Sequence, residues 1–328
     1  MRAMVVTTSP TGPTIEQREI QQATRAPGQV LIDVHAASVN RADLAARAST
    51  YAAQAGTGPA VVGLDAAGVV LETDAGARLA PGDRVMTLVT GGLAERVVVD
   101  DRMPIVLPEQ WSFDMGAAAV LALLTGHNAL RTAGRFHPGD TVLVNAAQSG
   151  VGQMTLQLAV ALGAGRVLAG VRSVKNADLL KRLGADALIR TDSDGFAQQV
   201  LEETDGRGAD IVIDHVGGPY LAEHLQSTAL GGRIISVGRL GGPTGDLDLE
   251  TVALKRLSIV GVTFRTRDAD EKAAVAQGVR DDLTTPLAEG RLDPLVDRVL
   301  PWTDALAAQE AVAADSHLGK IVLRVQGD

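Results

Sequence analysis

VLVNAAQSGVG, residues 142–152, decides the fold of this chain. Val142 to Val144 set up a buried strand, and Gly150 and Gly152 let the backbone turn tightly into a helix that runs to residue 162. A second apolar strand follows at 166–170, which places the turn inside a βαβ unit. Backbone amides at such a helix N-terminus are unpaired and carry the positive end of the helix dipole. The turn is therefore expected to bind the pyrophosphate of a dinucleotide, through Ala147, Ser149, Gly150, Val151 and Gly152. Ala147 and Ser149 stand where the usual GxGxxG fingerprint has glycine.

Working outward, apolar strands are expected at 141–145, 166–170, 187–190, 210–216, 233–237 and 258–262, separated by helical stretches. Six such strands suit an α/β, doubly wound parallel sheet. Before residue 121 the pattern changes to short strands and turns, at 29–36, 67–72, 83–90 and 94–99, with a turn at Pro81-Gly82-Asp83. This part reads as a small, mostly β domain. Beyond residue 264 an amphipathic helix is expected at 270–289, then a strand at 296–300, a short helix from 303 and a final strand at 320–325.

The 328 residues, 46% of them hydrophobic, suffice for two domains with separate cores. No apolar run approaches the roughly 20 residues that span a bilayer, and the opening MRAMVVTTSP has no signal-peptide character, so a cytoplasmic location is expected. A net charge of −9 without a basic cluster disfavours nucleic acid or a membrane surface as partner and favours a small molecule. The absence of cysteine excludes disulfides, thiolate zinc sites and cysteine nucleophiles.

The end of the second strand selects the dinucleotide. An enzyme for NAD usually places an acid there to hold the ribose hydroxyls. Here Val171 occupies that position, and Arg172, Ser173 and Lys175 supply a guanidinium, a hydroxyl and an ammonium suited to a 2′-phosphate. The expected cofactor is NADPH.

Several further landmarks recur in order: Ser38-Val39-Asn40-Arg41-Ala42-Asp43, Gly63-Leu64-Asp65-Ala66-Ala67-Gly68, Pro81-Gly82-Asp83-Arg84-Val85, Gly91-Gly92-Leu93-Ala94-Glu95, Leu124-Thr125-Gly126 and Gly319-Lys320-Ile321-Val322-Leu323. With these the chain resembles, over essentially its whole length, the medium-chain dehydrogenase/reductase superfamily and in particular its zinc-independent quinone oxidoreductase branch. The resemblance implies a Rossmann NADPH-binding domain at 122–263 and a GroES-like substrate domain from 1–121 and 264–328. It also implies a homodimer or homotetramer. The zinc-dependent alcohol dehydrogenases of the superfamily need cysteine and histidine where this chain has Asn40, Leu64 and Leu121. The six histidines show no metal-ligand spacing, so no metal is expected.

Without a metal, the expected chemistry is hydride transfer to a carbon polarised by conjugation, in a quinone or an α,β-unsaturated carbonyl compound. The protein then has to orient the substrate and donate hydrogen bonds to the developing oxyanion. Asn40 is the first candidate donor, to that oxygen or to the cofactor. Asp43 is expected to orient its own loop, and Tyr51 to supply a proton or hydrogen bond, with bulk water as the rival source. The resemblance further assigns Thr125 to the nicotinamide ribose, Gly217, Val237 and Gly238 to cofactor contacts at strand ends, and Phe264 and Arg265 to the carboxamide. It places Lys320 at the nicotinamide side or the pyrophosphate. Thr191 stands where many such reductases have a tyrosine near the adenine ribose, with Arg190 as the compensating contact. Two other readings stay open: an enoyl reductase for an acyl thioester or biosynthetic intermediate, and a catalytically idle NADPH-binding protein.

Overall fold

The computed structural model describes residues 1–10, 12–47, 60–192 and 195–326. The chain divides into two units, Met1–Leu121 with Pro294–Asp328, and Ala122–Asp293.

The first unit begins with an antiparallel hairpin of β1 (Arg2–Ser9) and β2 (Gly12–Glu19). Its main sheet holds β3 (Gln29–Ser38), β4 (Asp65–Glu72), β5 (Arg84–Leu88), β6 (Arg96–Asp100) and β7 (Ile105–Val106), joined from the far end of the chain by β14 (Val296–Pro301) and β15 (Lys320–Arg324). The order is β14-β15-β3-β4-β5-β7, with β6 also on β3. In β3 the sequence VLIDVHAA buries Val30, Leu31, Ile32, Val34, Ala36 and Ala37, as a strand with neighbours on both edges requires. Helix α1 (Arg41–Arg47) follows β3 after a two-residue break, and α9 (Ala305–Ala313) precedes β15. Trp302, Ala305, Ala308 and Val312 pack into the same core as Ile32, Val34 and Ile321.

Helix α2 (Phe113–His127) carries the chain into the second unit. There β8 (Thr141–Val144), β9 (Arg166–Val171), β10 (Ala187–Arg190), β11 (Ala209–Asp214), β12 (Thr228–Ser236) and β13 (Ser258–Gly261) form one sheet in the order β10-β9-β8-β11-β12-β13, parallel throughout. The connections are α3 (Gly150–Ala161), α4 (Ala177–Arg182), α5 (Phe196–Glu202), α6 (Leu221–Ser227) and α7 (Leu249–Lys255). The order reverses between β8 and β11, the switch point beside which open α/β sheets bind ligands.

Helix α8 (Ala269–Ala288) belongs to this second unit. The expectation that residues 264–293 join the first unit is thus corrected. A capping box of Asp268 and Glu271 starts the helix. Its Asp282 then bonds the buried His127 at 2.8 Å and Arg131 at 2.8 Å, and Gly278 leaves room for the His127 ring. Among the described residues no helix is long and apolar enough to cross a membrane.

Candidate functional site

Two groups of side chains stand out, one in each unit. In the first, sheet register does the assembly. Strands β3 and β4 run antiparallel with Ala36 opposite Ala67, which sets Ser38 across from Asp65. On the other edge Val322 of β15 pairs with Ser38, so Lys320 reaches the residues that follow β3. Asp65 accepts from the Ser38 amide at 2.5 Å, the Ser38 hydroxyl at 2.5 Å and Asn40 Nδ2 at 2.7 Å. The second Asn40 amide proton goes to the Ser38 carbonyl at 3.3 Å, and Asn40 Oδ1 accepts from Lys320 Nζ, which also donates to the Val39 carbonyl at 3.1 Å. Asp43 accepts from the Asn40 amide at 2.7 Å through Oδ2, while its Oδ1 is buried without a partner.

All five side chains are more than nine-tenths buried. Burial pushes the Asp43 carboxyl up to about 7, with the like charge of Asp65 adding to the rise and Lys320 opposing it. Burial also raises Asp65, which the Lys320 ammonium pulls back. Burial draws Lys320 down, against the pull of the two carboxylates. One ammonium thus faces two buried carboxyl groups, and burial works against charge on both of them. Asn40, expected as a free donor, has both amide protons engaged within the protein. Lys320, expected at the cofactor, spends its charge on this cluster. Tyr51 lies outside the described residues.

The second group surrounds the 145–152 turn. Ser149 caps α3 by accepting from the Gly152 amide at 3.1 Å. The first two amides of the helix, at Gly150 and Val151, project from its end, where an α-helix has no acceptor for them. Gly152 is required by close approach, since a Cβ there would sit 2.5 Å from the Ala146 carbonyl oxygen. Ala146 itself takes φ +50°, a left-handed conformation that costs an L-residue about 1–3 kcal/mol. Ala147 is buried, its amide bonded to the Gly170 carbonyl at 3.0 Å. Gln148 donates to the Ser173 carbonyl at 2.8 Å and so ties this turn to the Arg172–Lys175 segment, whose Arg172, Ser173 and Lys175 are exposed. Such a turn, with a glycine cradle, an open helix end and cationic side chains on the adjoining turn, fits a dinucleotide phosphate.

The ends of β11 and β12 adjoin it. Asp214 accepts from the amides of Val216 and Gly217, and its carbonyl accepts from Val237 and Gly238. A Cβ on Gly238 would meet the His215 carbonyl at 2.5 Å, and Gly217 has φ +92°. Thr125 is half-buried on α2, where its neighbour Gly126 packs against Thr155 of α3. Phe264 is half-buried under the Arg267 guanidinium, and Arg265 is exposed. Arg190 is paired with Asp192 at 2.5 Å. The Thr191 carbonyl accepts at 2.6 Å from Tyr220, a hydroxyl that sequence reasoning passed over. Also missed were Ser38, Asp65, Asn145, Asp214 and His224, of which Ser38, Asp65 and Asn145 lay within the quoted motifs and Asp214 and His224 did not.

A zinc ion does not fit the residues present. Leu64 and Leu121 offer no lone pair, the Asn40 amide is committed to Asp65 and Lys320, and the chain has no thiolate. Among the described residues no three His, Cys, Asp or Glu side chains converge as a metal site.

Comparison with known proteins adds a family. The profile described as alcohol dehydrogenase GroES-like domain matches residues 26–109, and that described as zinc-binding dehydrogenase matches 150–279. A quinone oxidoreductase of Rattus norvegicus is 30% identical over 299 residues, covering 90% of this chain and 88% of the relative. A mycocerosic acid synthase-like polyketide synthase of Mycobacterium tuberculosis is 32% identical over 95% of this chain, which spans only 15% of that protein's length. In other polyketide synthases that it matches, the chain spans 8% and 14%. Among solved structures, a mycobacterial protein in complex with NADPH superposes with a TM-score of 0.83 at 29% identity, covering 99% of both chains. The rat relative and the two profiles together establish that this chain belongs to the medium-chain dehydrogenase/reductase superfamily as a quinone oxidoreductase-like member.

Proposed function

We propose that this chain is an NADPH-dependent, metal-free reductase that delivers hydride to a quinone or an α,β-unsaturated carbonyl compound. The observation that carries the reading is its similarity to the rat quinone oxidoreductase along most of both chains, joined to a donor set that cannot hold zinc. The NADPH bound to the mycobacterial neighbour supports the choice of cofactor. In this reading Ala147, Ser149, Gly150, Val151 and Gly152 hold the pyrophosphate, while Arg172, Ser173 and Lys175 hold the 2′-phosphate. Gly217, Val237, Gly238, Thr125, Phe264 and Arg265 make the remaining cofactor contacts, with Arg190 supporting the adenine side. Bound NADPH supplies the hydride. The chain itself orients: Asp65, Asp43 and Lys320 fix Asn40 and the segment that carries it, so that Asn40 acts on the substrate by shaping that segment. Tyr51 is the proposed source of a proton or hydrogen bond. The same proposal includes a homodimer or homotetramer, which sedimentation of the purified chain decides.

The polyketide synthase matches favour a second reading, enoyl reduction on an acyl thioester. One assay separates the two: NADPH consumption, with NADH as control, against an ortho-quinone, a simple enone and an enoyl thioester. Fast quinone turnover with NADPH supports the first reading. Fast thioester turnover with a slow quinone moves the chain to the second, and binding of NADPH without turnover of any of the three refutes both.

A further inference from the structure

Beneath the 145–152 turn lies a row of buried polar groups that the proposed chemistry does not use. Asn145 follows β8 and is fully buried. Its Oδ1 accepts from the Ala146 amide at 2.8 Å, which fixes the orientation of the side-chain amide. Nδ2 must therefore be the atom that meets His224 Nε2 at 3.1 Å. An amide nitrogen offers only protons, so Nε2 is the acceptor and the imidazole carries its single proton on Nδ1. Nδ1 in turn faces Asp214 Oδ2 at 3.8 Å, an attraction across a gap too long for a hydrogen bond. The ring has no exposed surface and is seated edge-on against Phe196 and Tyr220, with centroids at 5.6 and 6.1 Å. It stands between two strand ends, because Asp214 organises the amides of Val216, Gly217, Val237 and Gly238.

We propose that His224, as the Nδ1-protonated tautomer, is the positioning residue of the phosphate-binding turn: it holds Asn145, and Asn145 holds Ala146 in its left-handed conformation. The inference deepens the cofactor reading above and rests on it. Ala146 has φ +50° and its carbonyl oxygen is the atom that Gly152 closely approaches, so its backbone sets the distance between the turn and the first amides of α3. Released from Asn145, the Ala146 peptide has every incentive to relax, and the open helix end moves away from the place where a phosphate is held.

The test uses the full chain and NADPH as probe. His224→Leu fills the space but accepts no hydrogen bond, whereas the Oε1 of His224→Gln restores an acceptor. The expected result is an NADPH dissociation constant raised about fivefold to tenfold in His224→Leu, the worth of one neutral hydrogen bond, and brought back within about twofold of the parent in His224→Gln. The ratio of NADPH to NADH affinity stays unchanged, because the 2′-phosphate contacts are elsewhere. Parent-like binding by His224→Leu overturns the proposal. So does a correctly folded His224→Gln that binds as weakly as His224→Leu. The nitrogen-15 shifts of the His224 ring give a readout free of cofactor: a protonated Nδ1 supports the relay, and a protonated Nε2 refutes it. If the parent binds neither NADPH nor NADH, the cofactor reading fails, while the ring shifts still decide the relay.

Discussion

Asp43→Asn is the substitution that most directly tests the buried charge cluster. The carboxyl group rises from an ordinary 3.8 to about 7 in the folded chain. Between those two pH values the folded state keeps a proton that the unfolded state has released. Stability from this group is therefore present below about pH 4 and is lost as pH rises through about 7. At about 1.4 kcal/mol per pH unit the whole shift is worth about 4 kcal/mol, and the part between pH 5 and pH 8 about 3 kcal/mol. Asparagine retains an oxygen for the Asn40 amide and never ionises, so the variant escapes this loss. Its new Nδ2 inherits the unpartnered position of Oδ1 and costs about 1–3 kcal/mol at every pH. Urea unfolding can be followed by the fluorescence of Trp111 and Trp302, the chain's two tryptophans, both buried in the first unit. The difference in unfolding free energy, variant minus parent, should grow by about 3 kcal/mol from pH 5 to pH 8 and level off above pH 7. Using the difference cancels the titration of every group that the substitution leaves unchanged. A difference that stays flat across this range refutes the raised Asp43 and the electrostatic account of the cluster.

Three further outcomes are expected. Lys320→Met leaves two buried carboxyl groups without their cation and should cost about 3–5 kcal/mol at pH 7, part of it recovered at pH 5, by the same urea assay. Equal losses at both pH values would count against the charge reading. Gly152→Ala brings a Cβ to 2.5 Å from the Ala146 oxygen and should destabilise the turn by about 1–3 kcal/mol, with weaker NADPH binding by titration. Arg172→Ala should lower the NADPH over NADH affinity ratio by about tenfold, the scale of one charge-assisted hydrogen bond. A parent that binds both dinucleotides equally sinks the 2′-phosphate assignment.

The parallel sheet was legible because each strand is a short apolar run closed by a turn signal, and the turn at 145–152 announces its own strand-to-helix context. The β1–β2 hairpin was not, because β2 buries only Ile15 and so lacks the alternation that marks a strand. Helix α8 showed its amphipathic face in sequence, with Val275, Val279 and Leu283 on one side, but periodicity does not say which unit that face meets. Its histidine and arginine partners lie some 150 positions upstream. The same limit applies to the site. Asn40 and Asp43 share a motif and were singled out together, whereas their partners Asp65 and Lys320 are brought in by β-sheet register, across 25 and 280 residues. Local pattern identifies residues that belong to one turn; it carries no information about which distant strand will lie beside it. The Asn145–His224 contact, 79 residues apart, was hidden for the same reason.

The first unit is sewn from both ends of the chain, with β15 seated between β14 and β3. On a ribosome this imposes a schedule. Residues 122–293 are contiguous, so the parallel sheet has all its strands in hand while residues 36–38 of β3 still lack their β15 partner. Until residue 320 emerges, the carboxylates of Asp43 and Asp65 have no ammonium to offset them, and water is the better place for both. Lys320 thus reaches the cluster after every other member of it has been synthesised. A chain released before β15 would leave the Ala36–Ser38 end of β3, beyond the stretch that β6 covers, as an unpaired edge, the geometry from which strand-to-strand aggregation starts.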